Sequence, residues 1–440
     1  MDRLSYLHPP LRAHIVSFIS TKEAIKLAIL SSHWRQVSSS LSKLTFTKHL
    51  GDQKAFRDCV DMALATHDET DIQRFDLDAL HDDDIVTESD LNRWITILVQ
   101  HNIRMLKLLV RTSKPTSLPC FLFTCGTLTR LVLAKIKLPV FPPLVRFPKL
   151  TYFGLVGVEF GDTSKEILNL SFSATSFPVL GTLHLHTRQQ IQSLSISIPS
   201  LQHLYLRTRK SPALKLSIST GQEVRLFYEG LPHDISTIDI STESVSSITS
   251  AILNTDWDPE LLDSSSTSHN ASKIMSGLFY AEKLHLLDFF IEFLCWDRSF
   301  SWRNRILSIS LKKLDLHMFR AKKNHVKMVK FLTGCFPQLQ TLKITVVDIP
   351  KRLEGLQDTE VHGDDNAMSP HLRRIDIVNL EGMENELELA RYFLATATML
   401  EEMNISFSVH TEVDTRKRVE LNLMSSPKVS QQVVPRVYHE

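Results

Sequence analysis

The sequence predicts a mixed α/β fold: three short helices, then a long stack of repeated parallel strands. Two observations predict it. The first forty residues carry apolar side chains at helical spacing between good capping residues. Beyond residue 100 an apolar-x-x-apolar-x-apolar pattern returns at related intervals almost to the C-terminus.

The helices come first. Pro9 and Pro10 lead into Leu11, Ile15, Phe18 and Ile19, which fall on one helical face. Proline is well tolerated in a first turn, where its missing N–H has no partner to lose. Ser20-Thr21-Lys22-Glu23 then reads as a capping box, with the hydroxyl and the carboxylate each satisfying the other's backbone N–H. It opens a second helix with Ala24, Ile25, Ala28 and Ile29 on its apolar side. Ser31 or Ser32 caps a third helix carrying Trp34 and Val37, and Ser38-Ser39-Ser40 ends it. So short a segment cannot bury this apolar surface alone. The helices must either shield the end of the strand stack or dock a separate protein.

The repeats follow. Clean copies run Ile103/Leu106/Leu108, Leu128/Leu131/Leu133, Leu150/Phe153/Leu155, Leu180/Leu183/Leu185 and Leu201/Leu204/Leu206. They return at Leu311/Leu314/Leu316, Leu339/Leu342/Ile344, Leu372/Ile375/Ile377 and Leu400/Met403/Ile405. Weaker copies lie at Ile191/Leu194/Ile196 and Ala281/Leu284/Leu286, and faint ones within 207–280. The last two apolar positions alternate with polar ones, as a half-buried strand requires. A repeat of this kind cannot hide its own apolar face, so neighbours must stack. The expected architecture is therefore an irregular leucine-rich-repeat solenoid with parallel strands on its concave face. Phe147-Pro148, Phe177-Pro178, Pro199-Ser200 and Phe336-Pro337 mark where one repeat stops and the next turns in. The polar stretches 263–272 and 356–369 read as exposed loops. The expected organisation is a helical module over 1–48, a linker and helical lead-in over 49–100, repeats over 101–365, and a C-terminal region over 366–440 that continues the solenoid.

Composition narrows the function classes. The 440 residues hold 50 basic and 49 acidic side chains, a formal charge of +1, which gives no global drive toward nucleic acid or an anionic membrane. No stretch reads as a membrane span or a secretory leader. Five irregularly spaced cysteines fit a reduced compartment, so the nucleus or the cytoplasm is expected.

Several residue groups invite a site reading. His184 and His186 alternate on a predicted strand and read as solvated, with partner contact as the alternative; a metal would need a third ligand. Asp82-Asp83-Asp84 with Glu88 and Asp90 lacks the glycine and ligand spacing of a calcium loop. Gly154, Gly157 and Gly161 before Lys165 lack the Gly-Lys-Ser/Thr ending of a phosphate loop and read as turn residues. Arg207, Arg209 and Lys210 read as a solvated edge. No nucleophile elbow, zinc-protease helix or paired-carboxylate motif occurs, so no catalytic residue, metal or cofactor is expected and the chain reads as a non-enzyme.

The segment from Leu7 to Arg35, with Ile15, Ser17, Phe18, Thr21, Lys22, Glu23, Ala24, Leu30, Ser31, Trp34 and Arg35 in register, resembles a plant-type F-box. It departs from the usual pattern at His8, Pro10 and Ser20. Leu91-Asn-Arg-Trp94-Ile95 and Leu118-Pro119…Phe123 resemble the repeat openings of plant F-box/leucine-rich-repeat proteins. Residues 372–406, with Gly382-Met-Glu-Asn-Glu-Leu-Glu-Leu-Ala390, Phe393-Leu394 and Leu400–Ile405, resemble their C-terminal FBD region, read as strand, helix, strand with a final helix over Arg416–Leu423.

The resemblance implies a substrate-recognition adaptor of a Skp–cullin–F-box ubiquitin ligase, non-catalytic itself. Its repeat surface would hold a target protein. Leu7, Pro9, Leu11, Ile15, Phe18, Ile25, Leu30 and Trp34 would contact the Skp-type adaptor, and through it a cullin. His8 and Ser20 motivate a second reading, a ligase-independent interaction scaffold whose helices only cap the solenoid. A third, a small-molecule receptor, would need a basic cluster in the concave floor that this sequence does not show.

Overall fold

Alternate burial turns the repeated pattern into strands: in Met105–Val110, Thr182–His186 and Lys313–Phe319 every second side chain is withdrawn from solvent. The computed structural model describes residues 7–28, 31–48, 53–80, 84–140, 145–161, 168–187, 189–208, 214–221, 223–230, 235–240, 248–254, 275, 278, 280–287, 290–296, 308–320, 322–348 and 370–438. The expected loops at 263–272 and 356–369 lie outside the described residues. The chain divides into two compact units: Met1–Gln190 with Ile196–Tyr205, and Ile191–Ser195 with Leu206–Glu440.

The first unit opens with helices α1 (Pro9–Ser17), α2 (Thr21–Leu27) and α3 (Ser32–Ser39). Strand β1 (Lys43–Thr47), helix α4 (Gln53–Ala65), β2 (Arg74–Ala79), α5 (Glu88–Gln100) and β3 (Met105–Val110) follow. Next come β4 (Arg130–Ala134), the short β5 (Lys137–Leu138), β6 (Tyr152–Val156), the short β7 (Glu159–Phe160), β8 (Leu168–Ser173) and β9 (Thr182–His186). Strands β1, β2, β3, β4, β6 and β9 pair side by side, all parallel. The strand stack thus starts at Lys43, inside the stretch assigned to the helical module and well ahead of residue 101. Leu41/Leu44/Phe46 and Ile72/Phe75/Leu77 carry the same pattern as the later repeats, and Leu44, Phe46, Ile72, Phe75 and Leu77 are buried.

The leading leucine of each repeat is set by a turn. The N–H of Leu150 donates to the carbonyl of Phe147, Leu339 to Phe336 and Leu201 to Ile198, each across three residues with proline second. The turn phenylalanines point inward. Phe147, Phe153, Phe172 and Phe177 are all buried, with ring centroids 5.5 to 6.4 Å apart, and join neighbouring repeats through one aromatic core.

Strands β10 (Ile191–Ser197) and β11 (His203–Arg207) are shared between the units. The second unit continues with β12 (Leu214–Ser219), β13 (Val224–Glu229), β14 (Ile235–Ile240), β15 (Ile248–Asn254) and β16 (Lys283–Leu286). Helix α6 (Phe290–Trp296), β17 (Lys313–Phe319), α7 (Lys323–Gly334), β18 (Thr341–Val347) and β19 (Arg374–Leu380) come next. The unit closes with α8 (Glu384–Thr396), β20 (Glu402–Phe407), α9 (Val413–Ser425) and β21 (Val434–Tyr438). Strands β13 and β15 to β21 form parallel neighbours, while β12 pairs parallel with β14. The strand–helix–strand reading of the C-terminal region holds, with β21 added beyond it.

Helices α6 and α7 enclose a polar cluster. His325 is fully buried and Glu292 is 3% exposed. The backbone N–H of Phe319 donates to His325 Nδ1 at 3.0 Å, so that nitrogen carries no proton. His325 Nε2–H donates to Glu292, and Lys322 Nζ lies 3.5 Å from the other carboxylate oxygen. Burial by itself would raise the Glu292 carboxyl, but His325 and Lys322 more than offset it and hold it below its ordinary value of 4.5. A carboxyl lowered by folding stabilises the fold above its unfolded value and loses that contribution as pH falls through the folded one. The melting temperature is therefore expected to drop below about pH 4.5, and to drop less steeply in Glu292→Gln. Parallel curves for the two proteins would contradict this.

Candidate functional site

The N-terminal helices are too short to be stable alone and are held by caps and a shared core. Ser20 Oγ accepts from Glu23 N at 3.3 Å, while Ser20 N donates to the Glu23 carboxylate at 2.9 Å, closing the expected capping box. That backbone bond, reinforced by the Ser20 hydroxyl, lowers the Glu23 carboxyl from its ordinary value. Ser31 rather than Ser32 caps α3, accepting from Trp34 N at 3.4 Å. Val16, Ala24, Trp34 and Val37 form the core, with Ile15, Ile19, Leu27 and Leu41 packed on it. Ser38 Oγ donates to Ala24 O at 2.7 Å, and Thr45 N of β1 donates to Thr21 Oγ1 at 2.8 Å. The helices are thereby tied to the first strand of the stack.

The eight residues proposed to contact an adaptor separate into groups. Phe18 is 76% exposed and Leu11 53% exposed, and Pro9 is also open to solvent. Leu7, Ile15 and Ile25 are half-buried. Trp34 is only 3% exposed and fills the module's own interior, so it shapes the helices and offers no contact surface. Leu30 lies outside the described residues. Leu11 in α1 and Phe18 at its C-cap sit seven residues apart, so one flank of that helix presents two exposed apolar side chains, with Ile15 between them half-buried against the core. The His14 ring meets Phe18 edge-on at 4.7 Å and braces it.

The other singled-out groups resolve into structure. Thr87 caps α5: its Oγ1 accepts from Asp90 N at 3.2 Å, the Asp90 carboxylate accepts in return from Thr87 N at 3.1 Å, and Arg93 binds that carboxylate at 3.0 Å. Burial opposes ionisation of Asp90, but the Thr87 bonds and Arg93 hold its carboxyl below the ordinary value. Asp84 accepts from the backbone and hydroxyl of Ser113, and these bonds lower its carboxyl likewise. Asp82 and Asp83 lie outside the described residues. Gly157 and Gly161 have φ of +62° and +82°, as turn residues do, whereas Gly154, expected in a turn as well, lies inside strand β6 and pairs with Val132 and His184. Arg207 pairs with Glu229 at 2.9 Å; Arg209 and Lys210 lie outside the described residues. Among the described residues no group of three or more His, Cys, Asp or Glu is placed to hold a metal ion, and no helix is long and apolar enough to cross a membrane. The five cysteines are free thiols, and burial pushes that of Cys335 up to about 12.

His184 lies on β9 with its side chain on the face away from the core. Burial lowers its pKa, so it stays neutral at ordinary pH. In place of the expected solvated side chain, His184 is half-buried beside the Tyr152 hydroxyl and the Tyr205 ring, neighbours from other strands that no single strand reveals.

Comparison with known proteins covers most of the chain. Residues 91–224 match the repeat family described as "FBD-associated F-box protein At5g56370, LRR repeats", and residues 367–405 match the FBD family. The F-box/FBD/LRR-repeat protein At1g13570 of Arabidopsis thaliana is 25% identical over 98% of this chain and 96% of its own length. The F-box/LRR-repeat protein At3g58980 of the same plant is 36% identical over 30% of this chain, a match that spans 22% of that relative's length. The FBD-associated F-box protein At4g10400, also of Arabidopsis thaliana, is 32% identical over 48% of this chain and 52% of its own. The resemblance to plant F-box/leucine-rich-repeat proteins with an FBD region thus runs over nearly the whole chain.

Proposed function

We propose that this chain, similar along nearly its whole length to plant F-box proteins with leucine-rich repeats and an FBD region, is a substrate-recognition adaptor of a Skp–cullin–F-box ubiquitin ligase. In this reading α1–α3 form the F-box, and the parallel strands hold a target near the ubiquitin-loaded enzyme. The contribution is effective concentration rather than chemistry. The chain acts in the nucleus or the cytoplasm.

The observation that carries the reading is the exposed ridge of Leu11 and Phe18 on a helix whose other side is already packed. A large exposed phenylalanine beside a leucine marks a surface awaiting a partner. Covering each side chain contributes about 1.5–3 kcal/mol. The ridge would dock the Skp-type adaptor, with Leu7, Pro9, Ile15 and Ile25 around it, and through that adaptor a cullin.

A second reading rests on the Thr21–Thr45 bond and the packing of Leu41 on the helical core. There the helices only shield the first strand, and the chain is a ligase-independent scaffold. Point variants separate the two better than truncation, because deleting the first 45 residues would cut through β1. Purified full-length chain should form a complex with a Skp-type adaptor on size-exclusion chromatography. Leu11→Asp with Phe18→Asp should weaken it at least about a hundredfold without lowering the melting temperature, the loss of two buried apolar contacts. No complex with the wild type, or equal complex with the double variant, contradicts the ligase reading and favours the scaffold.

A further inference from the structure

Four neighbouring strands of the first unit place a continuous set of rings on the face away from the core. Arg130 on β4 stands directly across from Tyr152 on β6, and its guanidinium carbon lies 3.6 Å from the centre of the Tyr152 ring. Tyr152 Oη reaches His184 Nδ1 on β9 at 3.4 Å. The His184 ring lies 5.5 Å from that of Tyr205 on β11, and Tyr205 stacks with His203 at 6.5 Å and 8° between planes. Gly154, paired with His184, makes this possible: a Cβ there would come within 3.2 Å of the Tyr152 ring. The missing side chain lets Tyr152 lean across toward β9.

The charge on this stripe is one-sided. None of β4, β6, β9 or the His203–Tyr205 part of β11 contains an aspartate or glutamate. Arg130 forms no ion pair among the described residues. By contrast Arg74 pairs with Asp76 at 2.6 Å, and Arg374 with Asp376 and Glu402 at 3.0 and 3.2 Å. Arg130 therefore keeps guanidinium donors for a carboxylate from outside. His184 is neutral, so it offers a ring and a polar nitrogen rather than a second charge. One fixed cation beside several rings does not make the extended basic track that a nucleic-acid backbone requires. Three strand steps span about 15 Å, the reach of four or five extended peptide residues.

We propose that this stripe binds an acidic peptide segment containing an aromatic residue or proline, its carboxylate on Arg130 and its ring against Tyr152, His184 and Tyr205. The proposal deepens the reading of the repeats as a target-holding surface, and it names the chemistry that surface selects.

The test uses full-length chain and a fluorescent glutamate–tyrosine random copolymer as probe, read by polarisation. A lysine–tyrosine copolymer and a single-stranded oligothymidylate serve as controls. The acidic copolymer should bind, and neither control should compete for the same site. Arg130→Glu should weaken binding by about ten- to a hundredfold, the loss expected for a charge-assisted bond. Tyr205→Ala should weaken it about tenfold. Both positions are exposed, so both variants should melt as the wild type does. Absent binding, binding indifferent to Arg130→Glu, or preference for the oligothymidylate overturns the proposal. Adaptor binding is measured on the same preparations. Loss of one interaction with retention of the other shows which reading has failed.

Discussion

Replacing Phe153 with alanine is expected to destabilise the first unit by about 3–5 kcal/mol, the usual cost of emptying an aromatic core position. Phe153 is 2% exposed and touches the rings of Phe147, Phe172 and Phe177. Those rings come from the turn before β6, from β8 and from the turn before β9. The cavity would open between repeats, not within one. Because neighbours supply most of the buried surface in a stacked array, the loss should spread to the flanking strands. Chemical denaturation of wild type and Phe153→Ala measures it. A change under about 1 kcal/mol would mean that the repeats do not share this core.

The second large effect is expected at Glu386, in the C-terminal region. Its side chain is 1% exposed, yet one carboxylate oxygen accepts from three successive backbone N–H groups, those of Glu381, Gly382 and Met383. The other oxygen lies 3.2 Å from Arg320, itself buried. Gly382 takes φ of +84°, and a Cβ there would strike Val419 at 2.8 Å, so the backbone can wrap the carboxylate only with glycine at that point. Glu386→Ala would strand three donors and remove one acid from a buried arginine, a loss of about 3–5 kcal/mol. Glu386→Gln keeps an acceptor and should cost less. Equal stability of Glu386→Ala and wild type would contradict the assigned role.

How much of this was legible in the sequence follows from what each signal needs. Leu128, Leu150, Leu180 and Leu201 announce their strands because each heads a full pattern after a proline or turn signal. Strands β1 and β2 carry the pattern too, but Asp76 and Asp78 alternate with Phe75 and Leu77 in a stretch otherwise rich in helical spacing. Strand β15 lies in a serine- and threonine-rich run without a leading leucine. In the helical module, periodicity marked Leu11, Phe18 and Trp34 alike as apolar. Helices of seven to nine residues have few positions per face, and only their packing shows that Trp34 points in while Phe18 points out. The aromatic stripe was least legible. Tyr152 and His184 are 32 residues apart, and they meet only once strand register is known.

The proposed function divides the labour: the α1 ridge would hold the ligase and the strands would hold the target. Affinity purification of full-length chain from plant cells, as wild type and as Leu11→Asp with Phe18→Asp, tests it most directly. The variant should lose the Skp-type adaptor and cullin together while keeping the remaining partners. Retention of adaptor and cullin by the variant, or their absence from the wild type, would contradict it.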